Sequence, residues 1–325
     1  MQRPMRIVLR ARPNRSRGYS ARGCIAALLL SLVLFSAPAA AQSQPAEKVP
    51  PKLNVVVSIL PQACFVQRIA GQDADVTVLV GPGQSPHVYE PTPKQVTALA
   101  DAQVFFTVGL PFEDTLLPKV RASFPQLKIV DTRAGIPLRA MTVDERVGEE
   151  AHGEHGEEAG APDPHIWLSP KLVKIQAATM CDALCQLVPG RAAEFRKNLA
   201  AFQADLDRVD AEIAAALAPL KGARFFVFHP AFGYFADAYG LKQVPVEIEG
   251  KEPSARQIAA LIEAARQARV RVIFVQPQFS TRSAEAIAQA IGGAVVPLDD
   301  LPRDYLKNLE EMAEKLKSGL ARSAK

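Results

Sequence analysis

From residue 53 onward, short apolar β-branched runs alternate with amphipathic stretches. The alternation breaks once, in the middle, where two long helical patterns follow each other with no strand between them. Such alternation is the signature of an α/β fold with mainly parallel sheets, because parallel neighbours need a crossover connection, usually a helix. Expected strands are Leu53–Ile59, Asp75–Val80, Gln103–Val108, Leu127–Val130, Arg224–Phe228, Lys242–Glu247, Val270–Val275 and Ala294–Leu298. Helical patterns such as Pro61–Gly71, Pro93–Ala100, Ser254–Ala268 and Thr281–Ile291 lie between them. Four strands precede the break and four follow it. The break itself comprises Lys171–Leu187 and Ala192–Leu217. In the second, Phe195, Leu199, Phe202, Leu206, Val209, Ile213 and Leu217 recur every three or four residues, so one stripe faces a core. The simplest architecture is two α/β lobes joined by a long helix. At 1.5 Å per residue that helix spans about 40 Å and acts as a strut, which predicts limited hinge motion.

The first residues are not part of that fold. Residues 1–23 carry seven arginines and no acidic residue, Cys24 to Phe35 is almost wholly apolar, and Ala37-Pro-Ala-Ala-Ala41 supplies small residues. This is the pattern of a secretory signal peptide cleaved near Ala41, and the apolar run is shorter than the roughly 20 residues a membrane span needs. Cys24 precedes the apolar run, a position that argues against a lipid anchor. Without residues 1–41, the 38 basic residues lose seven and stand at 31 against 34 acidic, so a formal charge of +4 becomes −3. A mildly acidic chain of about 284 residues gives no electrostatic reason to bind nucleic acid. Three cysteines remain, Cys64, Cys181 and Cys185, too few for a disulfide scaffold. Cys181 and Cys185 lie four apart in a helical pattern, share a face, and read as buried small hydrophobes.

Residues 144–161, DERVGEEAHGEHGEEAGA, hold six glutamates and two histidines with no apolar periodicity. Such a segment reads as a solvated loop, and His152 and His155 among carboxylates can bind a divalent cation weakly. The other three histidines sit beside prolines: His87 in GPGQSPHVYEPTP, His165 in DPHIWLSP and His229 in FVFHPAFGYF. His87 and His229 follow expected strands, and ligands in open α/β sheets bind at the carboxyl ends of strands. The flanking prolines stiffen the backbone that carries each ring. A single histidine in such a place is more readily a core or capping residue; three of them, beside a His/Glu-rich loop, fit core or capping roles and a metal site assembled by the fold equally well, and imidazole would suit zinc, copper, nickel or iron there. Trp167 and Tyr89 flank two of these histidines and fit a cleft wall or plain core packing equally well. The charged run Glu247, Glu249, Lys251 and Glu252 reads as structural, with Ser254 capping the next helix.

Taken together, SPHVYEPTP, DPHIWLSP, FHPAFGYFADAYGL followed by EIEGKEPSARQ, and LDDLPRDYLKNLEEMAEKL resemble the zinc/manganese-type solute-binding proteins of ABC importers, the ZnuA/TroA-like family. The resemblance runs from Leu53 to the C-terminal helix. It implies two α/β lobes bridged by one long rigid helix, with the metal in the inter-lobe cleft. The corresponding divisions are 1–41 as signal peptide, 42–188 as N-terminal lobe, 189–218 as connecting helix and 219–325 as C-terminal lobe. The implied ligands are His87, His165, His229 and a carboxylate that maps onto Asp299, with Asp300 immediately following. Such a set suits tetrahedral Zn²⁺, and His229 in place of glutamate favours zinc over Mn²⁺ or Fe²⁺. The resemblance further implies a monomer in the periplasm that hands its metal to a membrane permease.

The same residues bear on other functions. A zinc hydrolase would need an open coordination position, and neither HExxH, GxSxG nor a P-loop motif is present. An adhesion or envelope protein with a metal held only for stability would keep a metal that dialysis cannot exchange.

Overall fold

The structure, a computed structural model, describes residues 52–140, 162–246 and 254–323. The signal segment, the loop with His152 and His155, and the run Glu247–Glu252 lie outside the described residues. Strand β1 (Leu53–Ile59) is buried at every residue except Asn54. Burial on both faces is what a central strand of a parallel sheet covered on each side requires. It pairs in parallel with β2 (Ala74–Val80) on one side and β3 (Val104–Thr107) on the other, and β4 (Lys128–Asp131) completes the order β2-β1-β3-β4. The second half repeats the plan. Strands β5 (Arg224–Val227), β6 (Lys242–Pro245), β7 (Val272–Val275) and β8 (Ala294–Pro297) form a parallel sheet in the order β6-β5-β7-β8. Each strand lies within two residues of its expected ends. In both sheets the connections diverge beside the first strand, which opens a crevice at the carboxyl ends.

Helices α1 (Leu60–Ala70), α2 (Pro93–Asp101) and α3 (Pro111–Ser123) belong to the first sheet; α6 (Gly233–Tyr239), α7 (Ala255–Gln267) and α8 (Arg282–Ala290) belong to the second. Between the sheets run α4 (Pro170–Leu187) and α5 (Ala192–Leu217), and the expected stripe on α5 is buried, Leu199 only partly. Ser254 caps α7 with a reciprocal Gln257 bond, as its position suggested. Cys181 and Cys185 are buried free thiols whose sulfurs lie 3.8 Å apart.

One apolar core continues from the first sheet through α1, α4 and α5 to the inner face of the second sheet, where Phe225, Val227, Val272 and Phe274 close it. The alternate residues Phe226, Phe228, Ile273 and Val275 point to the other face and pack under α7 and α8. The C-terminal helix α9 (Tyr305–Ser323) packs along α5. At its start Tyr305 is fully buried, meets Phe65 edge-on at 4.9 Å and donates its hydroxyl to the Trp167 carbonyl at 2.6 Å. Toward its other end Gly319 lies so close to β7 that a Cβ there would come 2.8 Å from Phe274 Cζ. The connecting helix therefore has a companion that touches both lobes. Among the described residues, no helix is long and apolar enough to cross a membrane.

Candidate metal centre

His87 sits in the loop after β2, on a 3-10 turn over Pro86–Val88. Pro86 opens that turn with φ already set, and Ser85 Oγ accepts from the His87 N–H at 3.3 Å. The loop is anchored beyond by Gln95 at the start of α2. Its side-chain amide donates to the carbonyls of Val78 and Leu79, at 3.1 and 2.7 Å, and its Oε1 accepts from Tyr89 Oη at 2.8 Å. Thr92 and Gln95 form a capping box, so the helix start, the strand end and the histidine loop are one hydrogen-bonded unit.

His165 comes from the segment between β4 and α4 and is 3 % exposed. Its Nδ1 lies 2.7 Å from Asp163 Oδ1, which also accepts the His165 backbone N–H at 3.0 Å. Burial would raise the Asp163 pKa, but hydrogen bonds from His165 and Arg139 outweigh it and hold the carboxyl below its usual value. With a carboxylate as partner, Nδ1 carries the proton and Nε2 presents a lone pair to the cleft. Beside it, Trp167 is fully buried and donates Nε1–H to the Asp300 carbonyl at 2.7 Å.

His229 lies two residues past the end of β5, at the point where the second sheet's connections diverge. Gln276, just after the neighbouring strand β7, grips its backbone: Gln276 Oε1 accepts from His229 N at 3.2 Å and Nε2 donates to His229 O at 2.7 Å. Phe279 stacks on the imidazole with centroids 5.0 Å apart and planes 26° from parallel. The ring is thereby fixed in plane and position.

The three rings meet at their Nε2 atoms. His87 Nε2 and His229 Nε2 are 3.1 Å apart, and His229 Nε2 and His165 Nε2 are 3.3 Å apart. One ligand nitrogen from each residue fits within a 4.8 Å span. Four ligands at 2.0–2.1 Å around a tetrahedral zinc lie about 3.3–3.4 Å from one another, so the two short separations match edges of that tetrahedron. His87 keeps an exposed outer edge while its ring packs edge-on against His229 with centroids 4.7 Å apart, whereas His165 and His229 are buried. Desolvation of the His87 ring, then the charges of His229 and His165, pull its pKa down to about 3, leaving the ring neutral at physiological pH.

The two aspartates after β8 lie outside the group of mutually close ligand atoms that the three histidines form, and they are placed differently from each other. Asp299 is partly exposed, and its Oδ1 accepts from Gln278 Nε2 at 3.2 Å and from the Leu301 N–H at 3.0 Å. Its carboxylate thus ties the turn into α9. Asp300 is 4 % exposed, and its Oδ1 is buried with no hydrogen-bond partner. Burial pushes the Asp300 carboxyl up to about 6, against the opposing influence of His229 and His165. An orphaned buried oxygen that senses both imidazoles is the feature a bound cation would satisfy. Sequence reading also passed over Asp163, Arg139, Gln276 and Phe279. Of these only Asp163 carried a local signal, lying two residues before a candidate ligand inside DPHIW.

A family description, zinc-uptake complex component A periplasmic, matches residues 55–319. The zinc-binding lipoprotein AdcA of Streptococcus pneumoniae is 32 % identical over 266 residues, which cover 81 % of this chain and 51 % of that protein. The chain thus spans about half the length of that relative. The high-affinity zinc uptake system protein ZnuA of Bacillus subtilis is 32 % identical over 252 residues, 77 % of this chain and 79 % of that one. A crystal structure of ZnuA superimposes with a TM-score of 0.75 at 41 % identity, covering 82 % of this chain and 99 % of that one.

Proposed function

From the premise that this chain belongs to the ZnuA family, the periplasmic component A of the zinc-uptake complex, we propose that it captures Zn²⁺ outside the cytoplasm in the inter-lobe cleft and delivers it to the membrane permease of an ABC importer. The observation that carries this reading is the convergence of three imidazole Nε2 atoms at tetrahedral-edge spacing. His87, His165 and His229 are the three nitrogen ligands in this proposal. Asp300 is the fourth, in place of Asp299, because its buried Oδ1 lacks a partner while Oδ1 of Asp299 is engaged. Three imidazoles and one carboxylate suit Zn²⁺ better than Mn²⁺, which favours sites richer in oxygen.

With Asp300 closing the coordination sphere, no position is left for a reacting water, so the protein binds and releases without turnover. Export with cleavage near Ala41 rests in this reading on the arginine-rich start, the short apolar run and the small residues that follow it; a soluble, monomeric state is part of the same proposal. The divisions 42–188, 189–218 and 219–325 are part of the same proposal, with the addition that α9 braces both lobes. His152 and His155 are assigned a weak auxiliary role.

Chelator competition on the mature chain, with zinc and manganese in parallel, tests the assignment. His87→Ala, His165→Ala and His229→Ala should each weaken zinc binding by more than about 100-fold, beyond what loss of an outer partner costs. Deletion of residues 148–160 should leave the tight site intact. Wild-type affinity in the three histidine variants, or loss of tight binding in the deletion, would overturn the ranking of sites.

A further inference from the structure

We propose that Asp163 and Arg139 are positioning residues for metal capture: together they hold His165 in the tautomer that offers Nε2, and they tie that choice to the second lobe through α6. The inference rests on the proposed cleft site. Asp163 is fully buried, and its two carboxylate oxygens are divided between different tasks. Oδ1 accepts from the His165 backbone N–H and lies 2.7 Å from the ring Nδ1, while Oδ2 accepts from Arg139 Nη1 at 2.9 Å.

Arg139 is in turn held by the second lobe. Its Nε donates to Asp237 Oδ2 at 2.9 Å, its backbone N–H donates to Tyr234 Oη at 3.0 Å, and its guanidinium lies 5.8 Å from the Tyr234 ring centroid. Tyr234 Oη also donates to the Asp163 carbonyl at 3.1 Å. Tyr234 and Asp237 both lie on α6. The helix begins with Gly233, where a Cβ would collide with Arg139 Nη1 and fall 2.7 Å from Asp163 Oδ2, so the guanidinium–carboxylate pair occupies the space a side chain would need.

A carboxylate and an amide differ here in the number of acceptor oxygens. A carboxylate has acceptors on both sides and satisfies Arg139 and His165 at once. An asparagine has one oxygen. Turned to Arg139, it sets its NH₂ against the His165 ring, which must then accept at Nδ1 and carry its proton on Nε2, closing the lone pair to metal. Turned to His165, it sets the NH₂ against the guanidinium. Arg139 therefore makes the Asp163→Asn change unfavourable for metal binding, and removing the guanidinium should relieve the conflict.

Imidazole ¹⁵N–¹H correlation spectra of the metal-free mature protein, with zinc affinity measured by chelator competition, test this. Wild type should show His165 protonated at Nδ1. Asp163→Asn should populate the Nε2–H form and weaken zinc binding by about 10- to 100-fold. The double variant Arg139→Met with Asp163→Asn should bind zinc more tightly than Asp163→Asn alone, whereas a merely structural pair would make the double variant the weakest. Asp237→Asn, which leaves the Arg139–Asp163 contact in place, should stay near wild type. An Nε2–H tautomer in wild type, or a double variant no tighter than Asp163→Asn, would overturn the proposal. If Asp163→Asn does not fold, the wild-type tautomer still decides. Wild-type zinc binding that survives His165→Ala would instead remove the cleft reading while leaving the tautomer result standing.

Discussion

Replacing Asp300 by asparagine is expected to move two measurements in opposite directions. In the metal-free protein the buried carboxyl is pushed from 3.8 up to about 6. Below pH 3.8 it is protonated in both folded and unfolded chains and contributes nothing to their difference. Between the two values the folded chain binds the extra proton, so stability falls as pH rises through this window and stays lower above it. The gap corresponds to about 3 kcal/mol of destabilisation from the ionised group at neutral pH. Asp300→Asn removes that charge and should stabilise the metal-free protein at pH 7 by up to about 3 kcal/mol, with the advantage vanishing near pH 4. The same change removes the proposed fourth ligand and should weaken zinc binding by more than about 100-fold. Urea unfolding of the chelated protein at pH 4 and 7 reads the first effect, and competition titration the second. Asp299→Asn is the control. Its carboxylate ties Gln278 and the Leu301 N–H, bonds that an amide oxygen can partly keep, so both readings should change little. A larger loss of zinc affinity in Asp299→Asn than in Asp300→Asn would refute the assignment, and an Asp300→Asn protein less stable than wild type at pH 7 would refute the burial argument.

The His87 imidazole has the opposite linkage to Asp300: its folded pKa, about 3, lies below the unfolded value, so its contribution to stability is full above about pH 6.5 and is lost as pH falls toward 3. The metal-free His87→Gln variant should therefore lose less stability than wild type between pH 7 and 4, a difference that thermal melts at several pH values will show. An equal slope in both proteins would contradict it. Gly319→Leu should lower the urea midpoint by an overpacking cost of about 1–3 kcal/mol, since even a Cβ would meet Phe274. Zinc affinity of the folded fraction should be unchanged, because this contact lies on β7 and α9 and touches none of the metal-facing side chains.

Much of the fold was legible because parallel strands buried on both faces read as continuous β-branched runs, and because the α5 stripe follows the helical period closely. Helix α3 was not, since Pro118 lies inside it and blurs the pattern. The short α6 was hidden in an aromatic run that reads equally well as core. The three histidines were legible through their prolines and their places after strands or before a helix. Asp299 and Asp300 could not be told apart by spacing, because adjacent residues at a strand end point different ways and only packing decides which one is buried. Arg139 escaped notice because its partners lie 24 and 98 residues away. No local pattern announces a contact of that kind.

The pairing of α5 with α9 has a mechanical consequence. A single rod between two bodies can bow in any direction, but two rods packed side by side and seated against both bodies resist bowing in their common plane. The compliance that remains is bending out of that plane and torsion. A small rotation of one sheet relative to the other would change the spacing between His87, which follows a strand of the first sheet, and His229, which follows a strand of the second.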